Sequence, residues 1–264
     1  MNKAYQQSAR LDALTSPVLI AHRGDKTRYP ENTLAAFEAA VNAGAEMIEL
    51  DISLSRDRSM VVIHDDTLER TTNGKGPVNE RTLSELKKLD AGSWFDKQFA
   101  AERIPTLREV LEMVDRRALV NIEIKKSAFE ASAPDDAIEK QLVVLLQEME
   151  LTDSVLISSF ETRFLERIAA LDSALALAAI STETADDSTV KSLQELGIYS
   201  WHGWYGILTT EIVKQLHDAG FRVFSFTINE RVVFKDLMNM EVDGFFTDDC
   251  LLLRGALGNG GVHN

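Results

Sequence analysis

The chain has 264 residues, 45% of them hydrophobic and 27% charged, so it can bury a sizeable core and is too apolar to remain disordered. Its 42 acidic against 28 basic residues give a formal charge of −14. That excludes the basic footprint of a nucleic-acid binder and a polybasic membrane anchor, while leaving room for one local anion site.

In chain order, Met1 to Ser16 is polar, carries Lys3, Arg10 and Asp12, and lacks the apolar core of a signal peptide. No apolar run is long enough to cross a bilayer, so the expected address is cytoplasmic, without stable membrane insertion. Eight short β-branched or apolar runs predict strands: Val18–Ala21, Met47–Leu54, Leu119–Lys125, Ser154–Ser159, Ala174–Ile180, Ile198–His202, Phe221–Ile228 and Val242–Thr247. Helical patterns lie between most of them, at Glu31–Ala43, Ala137–Glu150, Thr162–Leu171, Ser188–Leu196, Thr210–Ala219 and Arg231–Met240. Gly44, Gly197 and Gly220 supply stop signals, and Thr106-Leu-Arg-Glu109 is a capping box that opens a further helix. Cys250, the sole cysteine, permits neither an intrachain disulfide nor a cysteine metal cluster.

Eight strands over 264 residues give roughly one βα unit per 33 residues. That rhythm predicts an α/β fold, a TIM-type (β/α)8 barrel, in one domain spanning 1–264. A doubly wound sheet is disfavoured, because Ala21-His-Arg-Gly-Asp25 is not a Gly-rich dinucleotide turn. The rhythm breaks between Asp65 and Leu119, where a turn cluster (Thr71 to Pro77), a short helix near Thr82 and Gly92-Ser-Trp-Phe95 read as an insertion. It covers approximately 66–105, follows the second strand and belongs on the active face of a barrel.

In Met47–Ser53, Ile48, Leu50 and Ile52 share one face and Glu49 and Asp51 the other. Asn121-Ile-Glu-Ile-Lys125 repeats this, with Asn121, Glu123 and Lys125 inward. Three inward carboxylates cannot all stay ionised alone: a pKa rises or a cation binds, and all-oxygen ligands suit Mg²⁺ or Ca²⁺. A buried network of Glu123 with Lys125, or of Glu with Arg, is the simpler alternative. His22 ends the first strand and His64 ends Met60–His64, a run that pairs back on the second; two histidines beside an acidic cluster suit a general acid and base. Arg23 is an anion-binding fork or a salt-bridge partner of the cluster. His217 and His263 carry no such context.

His22-Arg-Gly24, Pro30-Glu-Asn-Thr33, Glu49-Leu-Asp51, His64-Asp65 and Asn121-Ile-Glu-Ile-Lys125, in this order and spacing, closely resemble the glycerophosphodiester phosphodiesterases. So do Thr67-Leu-Glu-Arg70-Thr-Thr72, Ala91–Phe95, Ile104–Leu107, Ser158-Ser-Phe160, Thr227-Ile-Asn229 and Val242–Asp248; the similarity runs from about Val18 to Asp249. The resemblance implies a TIM-type barrel with a segment inserted after the second strand. It also implies metal-dependent hydrolysis of a small glycerophosphodiester to sn-glycerol 3-phosphate and an alcohol, through a cyclic phosphate. Carried over by position, Glu49, Asp51 and Glu123 become ligands of one divalent cation, Mg²⁺ or Ca²⁺. His22 and His64 become the acid–base pair, their order left open, and Arg23 and Lys125 hold phosphate oxygens. Three positions depart from the family pattern: Phe226 and Cys250 stand where Trp and Pro are frequent, and Arg58 where Gly is. Head group and oligomeric state are not set by this pattern.

The rival readings are a related phosphodiesterase acting on lysophospholipids in a phospholipase D-like way, and a non-catalytic anion-binding barrel. The first needs an apolar wall, for which Trp201, His202, Trp204 and Tyr205 are candidates, with core packing the simpler role for most of them. A metal-dependent amidohydrolase barrel needs a His-x-His pair on its first strand, which His22-Arg-Gly24 does not supply. Thr227-Ile-Asn-Glu230 is not a Gly-rich phosphate loop, which directs a phosphate toward Arg23 and the acidic cluster.

Overall fold

The computed structural model describes residues 9–249, 251, 252 and 255; Lys3, Cys250 and His263 lie outside them. The first elements are α1 (Ala9–Asp12), β1 (Val18–His22), α2 (Leu34–Asn42), β2 (Met47–Leu54), β3 (Met60–Val62), α3 (Leu83–Leu86), α4 (Leu107–Val114) and β4 (Leu119–Ile124). Then follow α5 (Ile138–Glu148), β5 (Val155–Ser159), α6 (Thr162–Leu171), β6 (Ala176–Ser181), α7 (Asp187–Leu196) and β7 (Ser200–Trp204). The last are α8 (Thr210–Asp218), β8 (Arg222–Phe226), α9 (Arg231–Asn239) and β9 (Gly244–Thr247).

Eight strands (β1, β2 and β4 to β9) run parallel and close into a barrel, with β1 bonded to β9 on one side and to β2 on the other. The β2 strand has two neighbours on that side. Met47–Glu49 pairs with β1, and Ile52–Leu54 pairs antiparallel with β3 beyond the barrel rim. This is the expected fold, with the expected strand turned back on the second.

Strand alternation separates two cores. Outward residues, such as Ile48, Leu50, Ile52, Ile122 and Ile124, pack under helices in the main cluster, where each fully buried aliphatic side chain contributes about 1.5–3 kcal/mol. Inward residues at the N-terminal end, including Val18, Ile20, Met47, Leu119, Leu156 and Phe224, fill the barrel floor. The polar inward residues therefore sit above a dry plug, toward the C-terminal mouth. The segment between β3 and α4 packs against the end of β3 in a separate apolar cluster, among it Ile63, Leu68, Val78, Leu86 and Ile104.

Element ends differ from the sequence reading for local reasons. The helix expected from Glu31 begins at Leu34, because Thr33 is its N-cap, its side chain accepting from the Ala36 amide. This leaves Glu31 and Asn32 outside the helix. The strand expected from Ile198 begins at Ser200, because the Ile198 amide bonds to Leu193 O and closes α7 around Gly197. The capping box at Thr106 and Glu109 is present. Arg58 has φ 66°, which explains why glycine suits this turn; its guanidinium instead makes two bonds to Glu130, at 3.0 and 2.6 Å.

Candidate active site

The turn after β1 delivers the first groups. His22 is the last residue of β1, Arg23 follows with φ 57°, and Gly24 with φ 83°. A Cβ on Gly24 would stand 2.6 Å from the Ala36 backbone, so glycine lets this turn press against the start of α2. The Arg23 amide thereby donates to Glu49 Oε2 at 2.8 Å, and its guanidinium lies 3.3 Å from Asp51 and 2.9 Å from Glu31.

Strand register sets the acidic cluster. Glu49 lies beside His22 and Asn121, and Asp51 beside Glu123. One carboxylate oxygen from each of Glu49, Asp51 and Glu123 falls within 4.8 Å of the others. Oxygens sharing one ion at about 2.0–2.6 Å stand up to about 4–5 Å apart, so this spacing fits a common Mg²⁺ or Ca²⁺ and the donors are of the type these ions prefer. Lys125 Nζ is 2.8 Å from Glu123 and 3.3 Å from Asp51. The metal-ligand arrangement and the salt-bridge alternative thus use the same residues: Arg23 and Lys125 are the cluster's counter-ions.

Burial and like charge divide the three carboxyls. At Glu49 burial, then the charges of Asp51 and Glu123, push the pKa well above the ordinary carboxylate range. Burial, reinforced by Asp51, pushes Glu123 up to about 7 against the pull of Lys125. At Asp51 burial also opposes ionisation, but Arg23 and Lys125 outweigh it and hold the carboxyl well below its usual range. An Asn32 amide bond at 2.9 Å adds to that.

Each histidine has a carboxylate on Nδ1. His22 Nδ1 is 2.7 Å from Asp248, and His64 Nδ1 is 2.6 Å from Asp65. Both aspartates are held ionised below their usual range and can only accept, so Nδ1 carries the hydrogen in both rings. In the neutral ring Nε2 is then the basic nitrogen. Burial lowers both imidazole pKa values, opposed at His22 by Asp248 and at His64 by Asp51. Both rings line one cavity of about 230 Å³ with Arg23, Glu49, Glu123 and Lys125. The structure thus brings together all seven residues singled out in the sequence, with Asp51 immediately behind the wall.

Several supporting residues had no assigned role in the sequence. Asp65 binds Arg70, Arg70 binds Glu31, and Glu31 returns to Arg23, which links the insertion to the turn after β1. Asp248, at the end of β9, is also held by Asn229 at 2.8 Å and Lys26 at 3.1 Å. In the Pro30-Glu-Asn-Thr33 motif, the Pro30 carbonyl accepts from the Thr33 hydroxyl at 2.7 Å, Glu31 joins two arginines, Asn32 orients Asp51 and Thr33 caps α2.

The aromatic candidates separate. Trp201 faces outward into the helix-packed core, and His202 faces the barrel interior and lines the cavity. Trp204, the last residue of β7, and Tyr205 after it lie exposed, their rings 5.5 Å apart. Phe226, where the family pattern favours Trp, forms cavity wall with Phe160, Ile180 and Phe246. His217 pairs with Asp243 at 2.8 Å, away from the site. Among the described residues, no helix is long and apolar enough to cross a membrane.

Carboxylates and imidazoles gathered at the strand C-termini of a parallel barrel define an α/β-barrel enzyme. The family model described as the glycerophosphoryl diester phosphodiesterase family matches residues 22–252. A glycerophosphodiester phosphodiesterase of Caldanaerobacter subterraneus subsp. tengcongensis is 38% identical over 245 residues, 92% of this chain and 99% of its own. One of Bacillus altitudinis is 37% identical, over 87% of this chain and 94% of its own. Among solved structures, an Oleispira antarctica phosphodiesterase in complex with the product sn-glycerol-3-phosphate superposes with a TM-score of 0.84 at 32% identity, over 92% of this chain and 97% of its own. The glycerophosphodiester phosphodiesterase of Agrobacterium tumefaciens gives 0.75 at 27% identity, over 88% and 96%. The chain belongs to the glycerophosphoryl diester phosphodiesterase family, and its enzyme class is that of a phosphoric diester hydrolase.

Proposed function

We propose that this enzyme hydrolyses small glycerophosphodiesters to sn-glycerol 3-phosphate and an alcohol, with one divalent cation held by Glu49, Asp51 and Glu123. The observation that carries the reading is the convergence of those three carboxylates, within 4.8 Å, beside two histidines whose Nδ1 atoms are each fixed by a carboxylate. The Oleispira relative's product complex supports the choice of product.

Bound there, Mg²⁺ or Ca²⁺ would neutralise phosphate charge and act as a Lewis acid on a non-bridging oxygen. Arg23 and Lys125 donate to the other phosphate oxygens, where charge grows in the transition state. One imidazole removes the proton from the substrate's own 2-hydroxyl through Nε2. The freed oxygen attacks phosphorus, an O–P bond to C2 forms and the O–P bond to the head-group alcohol breaks. The other imidazole protonates the leaving alkoxide. Water then opens the cyclic phosphate with the two proton roles reversed. The Asp248 and Asp65 contacts keep both rings in the tautomer these roles need.

The cavity of about 230 Å³ favours a polar substrate of glyceryl-phosphate size over one with an acyl chain. Incubation with glycerophosphocholine or lysophosphatidylcholine, each with Mg²⁺ or Ca²⁺, tests this. Faster release of choline and sn-glycerol 3-phosphate from the former is the expected result. Preference for the lyso-lipid would overturn the substrate assignment, and tight binding without turnover would favour an anion-binding barrel.

A further inference from the structure

A second cavity, of about 390 Å³, is not used by the mechanism above. Its walls come from the end of β2, the insertion and the segment after β4, and they include Ser53, Asp66, Asn79 and Ser127. Three of these stand two residues beyond a residue of the candidate active site: Ser53 after Asp51, Asp66 after His64 and Ser127 after Lys125. Two residues of fully extended chain span at most about 7 Å, so the two cavities are neighbours. Ser53 also shares its strand face with Glu49 and Asp51.

One wall departs from the family pattern. Arg58 stands where glycine is frequent, and its guanidinium reaches Glu130 at 3.0 and 2.6 Å and Asp136 at 3.0 Å. Arg58 and Glu130 both line the cavity, and their ion pair ties the turn after β2 to the segment after β4. A glycine at this position would leave that side open.

The chemistry of the lining selects the ligand. Its arginines are committed, Arg58 to Glu130 and Arg56 to Glu85 at 3.5 Å, which leaves no spare cation for an anionic group. The side chains of Ser53, Asp66, Asn79 and Ser127, by contrast, have no hydrogen-bond partner among the described residues. Two hydroxyls, an amide and a carboxylate offer donors and acceptors together, which suits a ligand carrying several hydroxyls. None of the described lining residues is aromatic, so the cavity presents no π-face to a quaternary ammonium.

Accordingly, and resting on the reading given under Proposed function, we propose that this second cavity receives the departing half of the diester and selects a polyhydroxylated head-group alcohol over choline. The catalytic cavity of about 230 Å³ is of glyceryl-phosphate size, so the second alcohol extends past it. The neighbouring cavity, walled by the Arg58–Glu130 pair, lies within reach and has the matching polar groups.

The test measures kcat and KM of the divalent-loaded enzyme for glycerophosphoinositol and glycerophosphocholine. The wild type is expected to have the higher kcat/KM for the inositol ester. Arg58→Gly removes the wall at a position whose φ of 66° glycine adopts freely, so the variant should fold. It should lower kcat/KM for glycerophosphoinositol about tenfold, through KM, and leave glycerophosphocholine within about twofold. Asp66→Ala, at an exposed residue, should act in the same way, and Asp66→Asn should recover part of the preference. Equal losses on both substrates, carried by kcat, would make these residues structural supports and overturn the proposal, as would an unchanged preference in both variants. A wild type that prefers glycerophosphocholine would also overturn it and put the head group at the exposed rim of Phe160, Trp204 and Tyr205. In each of these cases turnover of the diesters leaves the functional reading standing, whereas turnover of neither sinks both.

Discussion

Titrating a divalent cation into the metal-stripped protein should expel protons from the acidic cluster, in a number that depends on pH. Glu49 and Glu123 are the donors, because burial and mutual repulsion raise both, Glu123 to about 7, while Asp51 stays ionised. A cation requires ionised carboxylates, so at pH 6 binding should release up to about two protons, one from each raised group. At pH 8.5 Glu123 is already ionised and the release should fall by about one. Apparent affinity should rise roughly tenfold per pH unit for each proton displaced. The same shift acts on stability. A carboxyl raised from 4.5 to about 7 favours the fold below 4.5, and that contribution is lost as pH climbs through 7. For Glu123, whose side chain is 13% exposed, the loss is about 3 kcal/mol at pH 8 and above. Because the lowered His22, His64 and His202 gain stability over the same range, the comparison is with Glu123→Gln: the metal-stripped wild type should lose more stability than that variant between pH 5 and pH 8, and added cation should raise the wild-type melting point mainly at pH 8. Calorimetric titration in buffers of different ionisation enthalpy counts the protons. Near-zero release at pH 6, with an affinity independent of pH, would refute the coupling of these carboxyls to an ion.

The histidines give further expectations. His22→Ala and His64→Ala should each lose at least ~10²-fold in kcat while keeping the melting temperature; near-normal turnover in either would remove its role. Asp248→Asn should lower kcat about 10–100-fold, because an amide no longer enforces the Nδ1–H tautomer of His22. Asp248 also raises the His22 pKa, so the limb of the kcat/KM profile set by His22 should move to lower pH in that variant; an unchanged profile would mean that His22 does not titrate in the reaction. A substrate analogue lacking the glyceryl 2-hydroxyl should not be cleaved, and cleavage at an undiminished rate would eliminate the cyclic intermediate.

Much of this site was legible in the sequence, because strand alternation is a local property. The parity of Glu49 and Asp51 against Ile48, Leu50 and Ile52 is visible in five residues, and the structure keeps it. Placing His22 and the carboxylates at one end required only that the barrel strands be parallel, whereas His64 reaches that end on the chain returning through β3, antiparallel to β2. What stayed hidden depends on long-range closure or on exact side-chain satisfaction. Asp248 stands 226 residues from His22 and reaches it only because β9 pairs with β1. Asp65 was adjacent to His64 and readable as its partner, whereas the link through Arg70 and Glu31 to Arg23 needs the folded insertion. In the sequence Trp201, His202, Trp204 and Tyr205 are candidates either for an apolar wall or for core packing, and nothing separates them. Alternation on β7 instead sends Trp201 to the outer core and His202 to the cavity, and whether His202 is fully bonded there no sequence pattern reveals.

The most direct measurement of the central claim is turnover of glycerophosphocholine by protein stripped exhaustively with chelator, with elemental analysis of the same sample. The account predicts that activity is lost with the metal and returns on adding Mg²⁺ or Ca²⁺, with choline and sn-glycerol 3-phosphate as products. Full turnover in a sample shown to contain no metal would contradict it.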